Sequence, residues 1–326
     1  MKVISLFCGC GGMDLGLVKS GHKIIWANDN DKNSIETYKN YFKKFSIDSN
    51  HVVLGDISKI KSNDIPYANL VVGGFPCQGF SVANIFRNKK RPMEKQNNKL
   101  YNELIRVIKD KKPKYFIAEN VVGITSMGGY ENNIKKKQKE GRIMSKILEE
   151  MRQIGYRVTW KILNASNFGV PQNRRRVIFL GTRKDIKKDL THPEPTHSFK
   201  EDLYLKKTPT LWETIKDLES LQKKIYNHVG TTHKVKINKY IGNRITKKDA
   251  LSPTIVGRGG GTGGPVIIPH PNKKRRLTVR ETARLQSFPN DMKFYGSISS
   301  CYRQIGNAVP WLLAFNLGKK LKNLDN

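Results

Sequence analysis

Residues 2–12 read KVISLFCGCGG, a short apolar run that stops in a glycine-rich turn. The run is too short for a secretory leader, whose apolar region spans about 7–15 residues before a small-residue cleavage site, so it reads as a first buried strand. Gly9, Gly11 and Gly12 let the backbone turn tightly and approach a ligand at the start of the helical stretch that follows. Unpaired N–H groups there favour an anionic group. The spacing is not the GxGxxG of dinucleotide sites, and a glycine loop alone serves equally well as a simple turn.

Outward from this unit, the first 180 or so residues alternate apolar runs with amphipathic stretches, the pattern of β-α units around a parallel sheet. Strands are expected at Lys2–Phe7, Lys23–Asn28, His51–Leu54, Asn69–Val72, Tyr115–Glu119, Tyr156–Asn164 and Arg176–Gly181, with helices including Lys32–Phe42, Leu100–Lys109 and Arg142–Ile154. After Thr182 the texture changes: Thr191–Ser198 (THPEPTHS) reads as a linker, periodicity is weak to about Asn272, and glycines crowd Gly257–Gly264. That run either lets backbone approach a nucleic acid or forms a flexible hairpin. Regular patterning returns at Leu277–Gln286 and in the last 20 residues. A large domain (1–190 and 300–326), a small one (191–275) and a joining region (276–299) account for this pattern.

The chain has 326 residues and carries a net charge of +33, from 60 Lys and Arg against 27 Asp and Glu. Such an excess suits a polyanionic partner, because basic groups that neutralise phosphates release condensed counterions. Abundant Lys and Asn also fit an AT-rich genome, so charge alone does not name a substrate. No apolar run approaches the roughly 18–20 residues of a spanning helix. Cys8, Cys10, Cys77 and Cys301 form no CxxC pair and no zinc spacing, which suits a reduced, cytoplasmic setting without a metal. Cys8, Cys10 and Cys301 are expected to be structural. His192, His197, His228, His233 and His270 show no metal spacing and are expected at the surface or facing a nucleic acid.

Two carboxylates strengthen the glycine turn. Asp29 follows the second expected strand, near the distance at which an acid accepts hydrogen bonds from ribose hydroxyls, and Asp56 follows the third, where it could meet an adenine edge. Either one alone is an ordinary cap or turn residue. At successive carboxyl ends of strands they suggest an adenosine-type cofactor. Farther on, Gly73-Gly74-Phe75-Pro76-Cys77-Gln78 breaks a buried strand and leaves a thiol at its carboxyl end, although most lone cysteines are inert. Glu119 ends another apolar strand, which is costly unless the carboxylate is paired or functional. Alternation in Gln172-Asn173-Arg174-Arg175-Arg176 puts Gln172, Arg174 and Arg176 on one face, the competing reading being a solvated basic turn.

These segments, in this order, resemble the cytosine-5 DNA methyltransferases of prokaryotic restriction-modification type. The resemblance rests on residues 7–12 (FCGCGG), 55–57 (GDI), 76–78 (PCQ), 119–121 (ENV), Gln172 with Arg174 and Arg176, 276–281 (RLTVRE), 284–289 (RLQSFP) and 304–310 (QIGNAVP). It does not cover about residues 190–270, where such enzymes keep a target recognition domain. It implies an α/β, Rossmann-like, mostly parallel sheet with a second, smaller target recognition domain. The implied cofactor is S-adenosylmethionine and the implied partner double-stranded DNA, bound by a monomer.

The resemblance also implies roles. Cys77 adds to carbon 6 of a flipped cytosine, making carbon 5 nucleophilic. Glu119 binds or protonates ring nitrogen 3, Arg174 holds the base carbonyl, and Arg176 positions the loop bearing Cys77. Phe7, the turn residues Gly9, Cys10, Gly11 and Gly12, together with Asp29, Asn30, Asp56, Ile57, Pro76, Leu100 and Asn307, form the cofactor site. Gln78, Ser81 and Arg87 belong to a basic loop that closes over DNA. Two positions depart from the family pattern: the ribose acid is Asp29 where Glu is usual, and Asn30 stands where an aromatic often packs on adenine. Protection of DNA from a partner restriction endonuclease is the implied role. A tRNA cytosine-5 methyltransferase of this fold and a non-catalytic DNA-binding relative are the alternatives; intact Cys77, Glu119 and Arg174 weigh against the second.

Overall fold

Successive residues of the central strands divide between two apolar layers. Val3 of β1 (Lys2–Leu6), Leu70 and Val72 of β4 (Leu70–Gly73), and Tyr115 and Ile117 of β5 (Tyr115–Val121) enter one buried cluster; Ile4, Leu6, Val71, Phe116 and Ala118 enter the other. Strands buried on both faces read as continuous apolar runs, as expected for a parallel sheet covered by helices on each side. The computed structural model describes residues 1–75, 99–220, 224–229, 246–257, 268–272 and 275–324.

The remaining sheet strands are β2 (Lys23–Asp29), β3 (Val52–Leu54), β6 (Tyr156–Asn164) and β7 (Arg175–Arg183). The seven strands stand in the order β3-β2-β1-β4-β5-β7-β6. Pairing is parallel from β3 across to β5, while β7 runs antiparallel to both β5 and β6. The sheet is therefore mostly parallel. The antiparallel insertion of β7 has no signature in the local pattern.

One layer is built by α1 (Gly12–Lys19), α2 (Lys32–Phe42) and the later helices α7 (Val279–Leu285), α8 (Ile298–Asn307) and α9 (Trp311–Lys322). The other is built by α3 (Lys99–Lys111) and α5 (Arg142–Gln153), whose Leu104, Val107, Leu148 and Met151 meet the opposite face. Between β5 and α5 lies a short helix, α4 (Asn133–Gln138), with no buried residue. Among the described residues no helix is long and apolar enough to cross a membrane.

Beyond β7 the described chain carries the two-residue strands β8 (His197–Ser198) and β9 (Lys206–Lys207) and the helix α6 (Leu211–Ile215). Leu190, Leu211, Ile215, Ile255 and Ile268 join the same cluster as Leu15, Leu277 and Leu313, so the described part of 191–275 shares the main core. The surface expectation for histidines fails at three positions: His192, His228 and His270 are buried. His228 is held by Thr278 Oγ1 at 3.0 Å and the Ser220 carbonyl at 3.1 Å, and His270 packs edge-on against Trp212. His197 is half-buried, and His233 lies outside the described residues.

The chain order β1-β2-β3 runs outward on one side of β1, and β4 returns on the other. The carboxyl ends of β1 and β4 thus flank the topological switch point, where ligands of open α/β sheets bind.

Candidate active site

A cavity of about 560 Å³ opens at that switch point, within the roughly 300–1,000 Å³ of small-molecule sites. It runs from the glycine turn after β1 to the ends of β4, β5 and β7, and to the turn between α8 and α9.

The glycine turn is held from below and from the side. Gly11, the N-cap of α1, has φ of 88°, and a Cβ there would lie 2.3 Å from the Phe42 ring, so both conformation and space call for glycine. A Cβ on Gly12 would lie 2.2 Å from the Val309 carbonyl oxygen, which shows how closely the start of α1 meets the α8–α9 turn. Beneath α1, the buried Asp14 carboxylate accepts hydrogen bonds from Ser5 Oγ and Tyr38 OH, each at 2.7 Å. Asp29 closes the turn from the side: its Oδ2 accepts from Gly9 N–H at 2.8 Å and its Oδ1 from Asp31 N–H at 2.9 Å. Burial raises its carboxyl above the ordinary range, against the pull of those two amides.

Of the residues expected at a cofactor, Phe7, Gly9, Gly12, Asp29 and Asn307 line the cavity. Cys10 and Gly11 build the turn without lining it; the Cys10 thiol is wholly buried, 3.6 Å from the Gln304 carbonyl. Asp56 and Ile57 are not in the lining either. Asp56 caps the 3₁₀ turn Ile57–Lys59, accepting from Ser58 N–H at 3.0 Å, and Ile57 is packed in the core. Asn30 is exposed, and Leu100 packs against the core on the α3 side. Pro76 lies outside the described residues, as do Cys77, Gln78, Ser81 and Arg87.

At the other end, Val121 of β5 pairs with Arg176 of β7, which puts Glu119 diagonally beside Arg176 on the same face. The Arg176 Nε meets Glu119 Oε1 at 2.8 Å, with both side chains about nine-tenths buried at 11% and 10% exposure. Gly74 sits over the pair, its Cβ direction 3.1 Å from Glu119 Oε2.

Arg174 is differently placed. Its guanidinium donates to the carbonyls of Ile255 at 2.6 Å, Gly306 at 2.9 Å and Ala308 at 2.8 Å, and it is buried. Burial and the neighbouring Arg176 charge both disfavour its protonated form. The buried Gln172 supports the same region, donating to the Leu285 carbonyl at 3.1 Å and accepting from Ile255 N–H at 2.9 Å. With both terminal nitrogens on main-chain oxygens and its buried Nε unpaired, Arg174 clamps distant segments together at the edge of the cavity, and Arg176 is the arginine that faces Glu119.

Two lining residues carry no signal in the sequence, and a third, Gly257, is marked there only as the start of a glycine run. Asp31 and Arg303 pair at 2.8 Å beside the cavity, joining α2 to α8, and Gly257 packs against Asn307. Their partners are 272 and 50 residues away in the chain, and no local pattern marks such a meeting.

The model of the family described as C-5 cytosine-specific DNA methylase matches residues 1–323. The chain belongs to that family. It is accordingly a DNA (cytosine-5-)-methyltransferase that uses S-adenosylmethionine. Among curated relatives, the type II methyltransferase M.FnuDI of Fusobacterium nucleatum is 35% identical over 99% of this chain and 94% of its own length. The type II methyltransferase M.NgoFVII of Neisseria gonorrhoeae is 34% identical over 95% of this chain and 83% of its own. Among solved structures, an E. coli prophage-encoded DNA modification methyltransferase matches with a TM-score of 0.71 at 23% identity, covering 100% of this chain and 99% of that one. S. pombe Dnmt2 methyltransferase matches at 0.67 and 18%, again over 100% and 99%, a likeness of fold.

The cavity of this methyltransferase fits its cofactor on its own terms. It offers an aromatic face at Phe7, a carboxylate at Asp29 with lone pairs left for hydroxyls, and a polar side chain at Asn307. The Asp29 carboxylate also supplies negative charge that suits a sulfonium cation.

Proposed function

We propose that Cys77, Glu119 and Arg176 carry the reaction, and that Phe7, Gly9, Gly12, Asp29 and Asn307 hold the cofactor. The observation that carries this reading is the Glu119–Arg176 pair at 2.8 Å, facing the same cavity as the glycine turn and Asp29. Phe75, the last described residue before Cys77, lines that cavity, and two residues of chain reach at most about 7 Å.

S-adenosylmethionine supplies an electrophilic methyl group. The thiolate of Cys77 adds to carbon 6 of the cytosine, and the new C–S bond leaves electron density at carbon 5, which the unmodified ring lacks. Glu119, protonated, donates at ring nitrogen 3 and stabilises the charge that develops there. Arg176 orients the Glu119 carboxyl and directs its guanidinium toward the base carbonyl. This exchanges the roles expected of the two arginines, because both terminal nitrogens of Arg174 are held by main-chain carbonyls. Once carbon 5 has been methylated, water takes the carbon 5 proton, the electrons of that C–H bond restore the ring double bond, and the C–S bond breaks to release the Cys77 thiolate.

Attack above the ring plane requires the base to leave the stack, at a cost of a few kcal/mol. The target is accordingly a flipped cytosine in a short duplex sequence. Residues around 191–275 contribute to its recognition, and Gln78, Ser81 and Arg87 approach the backbone. Protection of DNA from a partner restriction endonuclease is the cellular role that the type II relatives suggest.

The test is transfer of labelled methyl groups to duplex DNA and to tRNA by the wild type and by Cys77→Ser. Transfer to duplex alone, lost in the variant while duplex affinity is kept, is the expected result. Transfer that persists in Cys77→Ser contradicts the assignment.

A further inference from the structure

The segment between Val121 and α5 is built outward. After the 3₁₀ turn Val122–Ser126 the chain makes an excursion over residues 127–141 that includes α4, a six-residue helix with no buried side chain. A helix this short is not stable on its own in water and normally exists because it buries a face. Here Ile134 is 67% exposed, and three consecutive lysines, Lys135, Lys136 and Lys137, are followed by Lys139.

One lysine is used to pin the excursion down. Lys135 pairs with Glu140 at 2.7 Å, and Trp160 Nε1 of β6 donates to the same carboxylate at 3.1 Å. The amides of Gly141 and Arg142 donate to the carbonyls of Thr125 and Gly129 at 2.8 and 3.0 Å. Lys136, Lys137 and Lys139 are left exposed. Like charges so close oppose one another, and folding alone gives no reason to hold them there.

Their position gives one. Trp160 stands opposite Phe179, and Phe179 opposite Ala118, so the anchor lies in the cross-sheet row next to Glu119. Although Trp160 and Ala118 point to the face opposite Glu119, the segment that carries the excursion leaves the carboxyl end of β5 directly after Val121, which lines the cavity. Duplex DNA places a phosphate every 3.4 Å or so along each strand. A duplex whose base enters the cavity therefore runs past the end of the sheet from which the α4 excursion leaves.

We propose that Lys136, Lys137 and Lys139 form a docking surface for the phosphate backbone of duplex DNA flanking the target cytosine. The proposal rests on the methyltransferase reading and adds to it a sequence-independent contact outside the recognised site. Phosphate contacts of this kind set position and orientation and carry no base information.

The experiment compares the wild type with Lys136→Gln/Lys137→Gln/Lys139→Gln on a duplex limited to the target site and on one with a full turn of flanking DNA on each side. Binding is followed against salt, and labelled methyl transfer is measured on both. A control, Lys319→Gln/Lys320→Gln/Lys322→Gln, removes equal charge from the end of α9. That end packs near Ser20 and His22, before the amino end of β2. The α4 variant is expected to lose about tenfold in affinity for the long duplex near physiological salt. Its salt slope is expected to flatten by about 3, at roughly 0.9 for each of three phosphates no longer neutralised. Transfer on the short duplex stays as in the wild type, and the control changes neither slope nor length preference. Equal slopes for all three proteins, or equal losses in the α4 variant and the control, overturn the docking surface. Absence of transfer by the wild type on either duplex would sink the underlying reading instead.

Discussion

Glu119 and Arg176 are joined at 2.8 Å across a diagonal of the β5–β7 pair, nine-tenths buried at the end of the sheet's only antiparallel insertion among its described strands. The pairing turns a costly buried carboxylate into a directed group: the strands fix its place, and the guanidinium fixes its orientation.

Glu119→Gln keeps the size of the side chain and a carbonyl oxygen for Arg176 but cannot deliver a carboxyl proton. Its kcat is expected to fall by about 10²–10⁴, the usual scale of general acid catalysis, with unfolding little changed. Single-turnover methyl transfer and urea unfolding on the same preparation check both halves. A near-normal rate would remove Glu119 from the chemistry.

Arg174→Lys is expected to act through the scaffold. One ammonium cannot replace a fork that reaches Ile255, Gly306 and Ala308 together, and charge-assisted bonds to buried carbonyls are worth about 1.5–3 kcal/mol each before relaxation. Urea unfolding should show a loss of about 2–4 kcal/mol, with weakened S-adenosylmethionine binding through the neighbouring Asn307. Unchanged stability with lost activity would return Arg174 to a direct contact with the base.

Gly12→Ala puts a methyl group 2.2 Å from the Val309 carbonyl, and the backbone must yield. Cofactor affinity, measured by calorimetry, should drop about tenfold or more as the turn leaves the α8–α9 segment. Gly9→Ala meets no atom within 4 Å and carries only the cost of its φ of +54°, about 1–2 kcal/mol, mostly in stability.

Asp14 links the site to pH. Burial pushes its carboxyl up to about 6 despite the Ser5 and Tyr38 hydrogen bonds, whereas an unfolded chain titrates near 3.9. Between those values the native state holds a proton that the unfolded state lacks, so stability falls as pH rises through the window and stays lower above it. Two units correspond to about 3 kcal/mol. Asp14→Asn has no such titration, so its stability relative to wild type should improve by up to about that amount between pH 4 and pH 7.5. Parallel pH profiles of unfolding would contradict the shifted carboxyl.

Much of the sheet is legible in the sequence because its strands announce themselves locally. The expected bounds of Tyr156–Asn164 and Lys32–Phe42 are those observed, and the other strands agree within a residue or two. Strand order is another matter: that β7 lies between β5 and β6 depends on pairing that no short window contains. The site divides in the same way. Asp29 and Glu119 follow from acids at strand ends. The contrast between Arg174 and Arg176 does not, since alternation treats the two alike. Carbonyls 81 to 134 residues away decide it. Asp56 misleads because a carboxylate after a strand serves a ligand or a turn equally well, and here it caps a turn. The buried histidines escape a sequence reading because hydrogen bonds and aromatic contacts across the chain cover them.

The most direct test is bisulfite sequencing of DNA from cells that express the protein and from cells that express Cys77→Ser. Protected cytosines confined to one short duplex sequence, present with the wild type and absent with the variant, are the expected result. Complete conversion at every cytosine in DNA from cells holding folded wild-type protein, or the same protection from the variant, would contradict it.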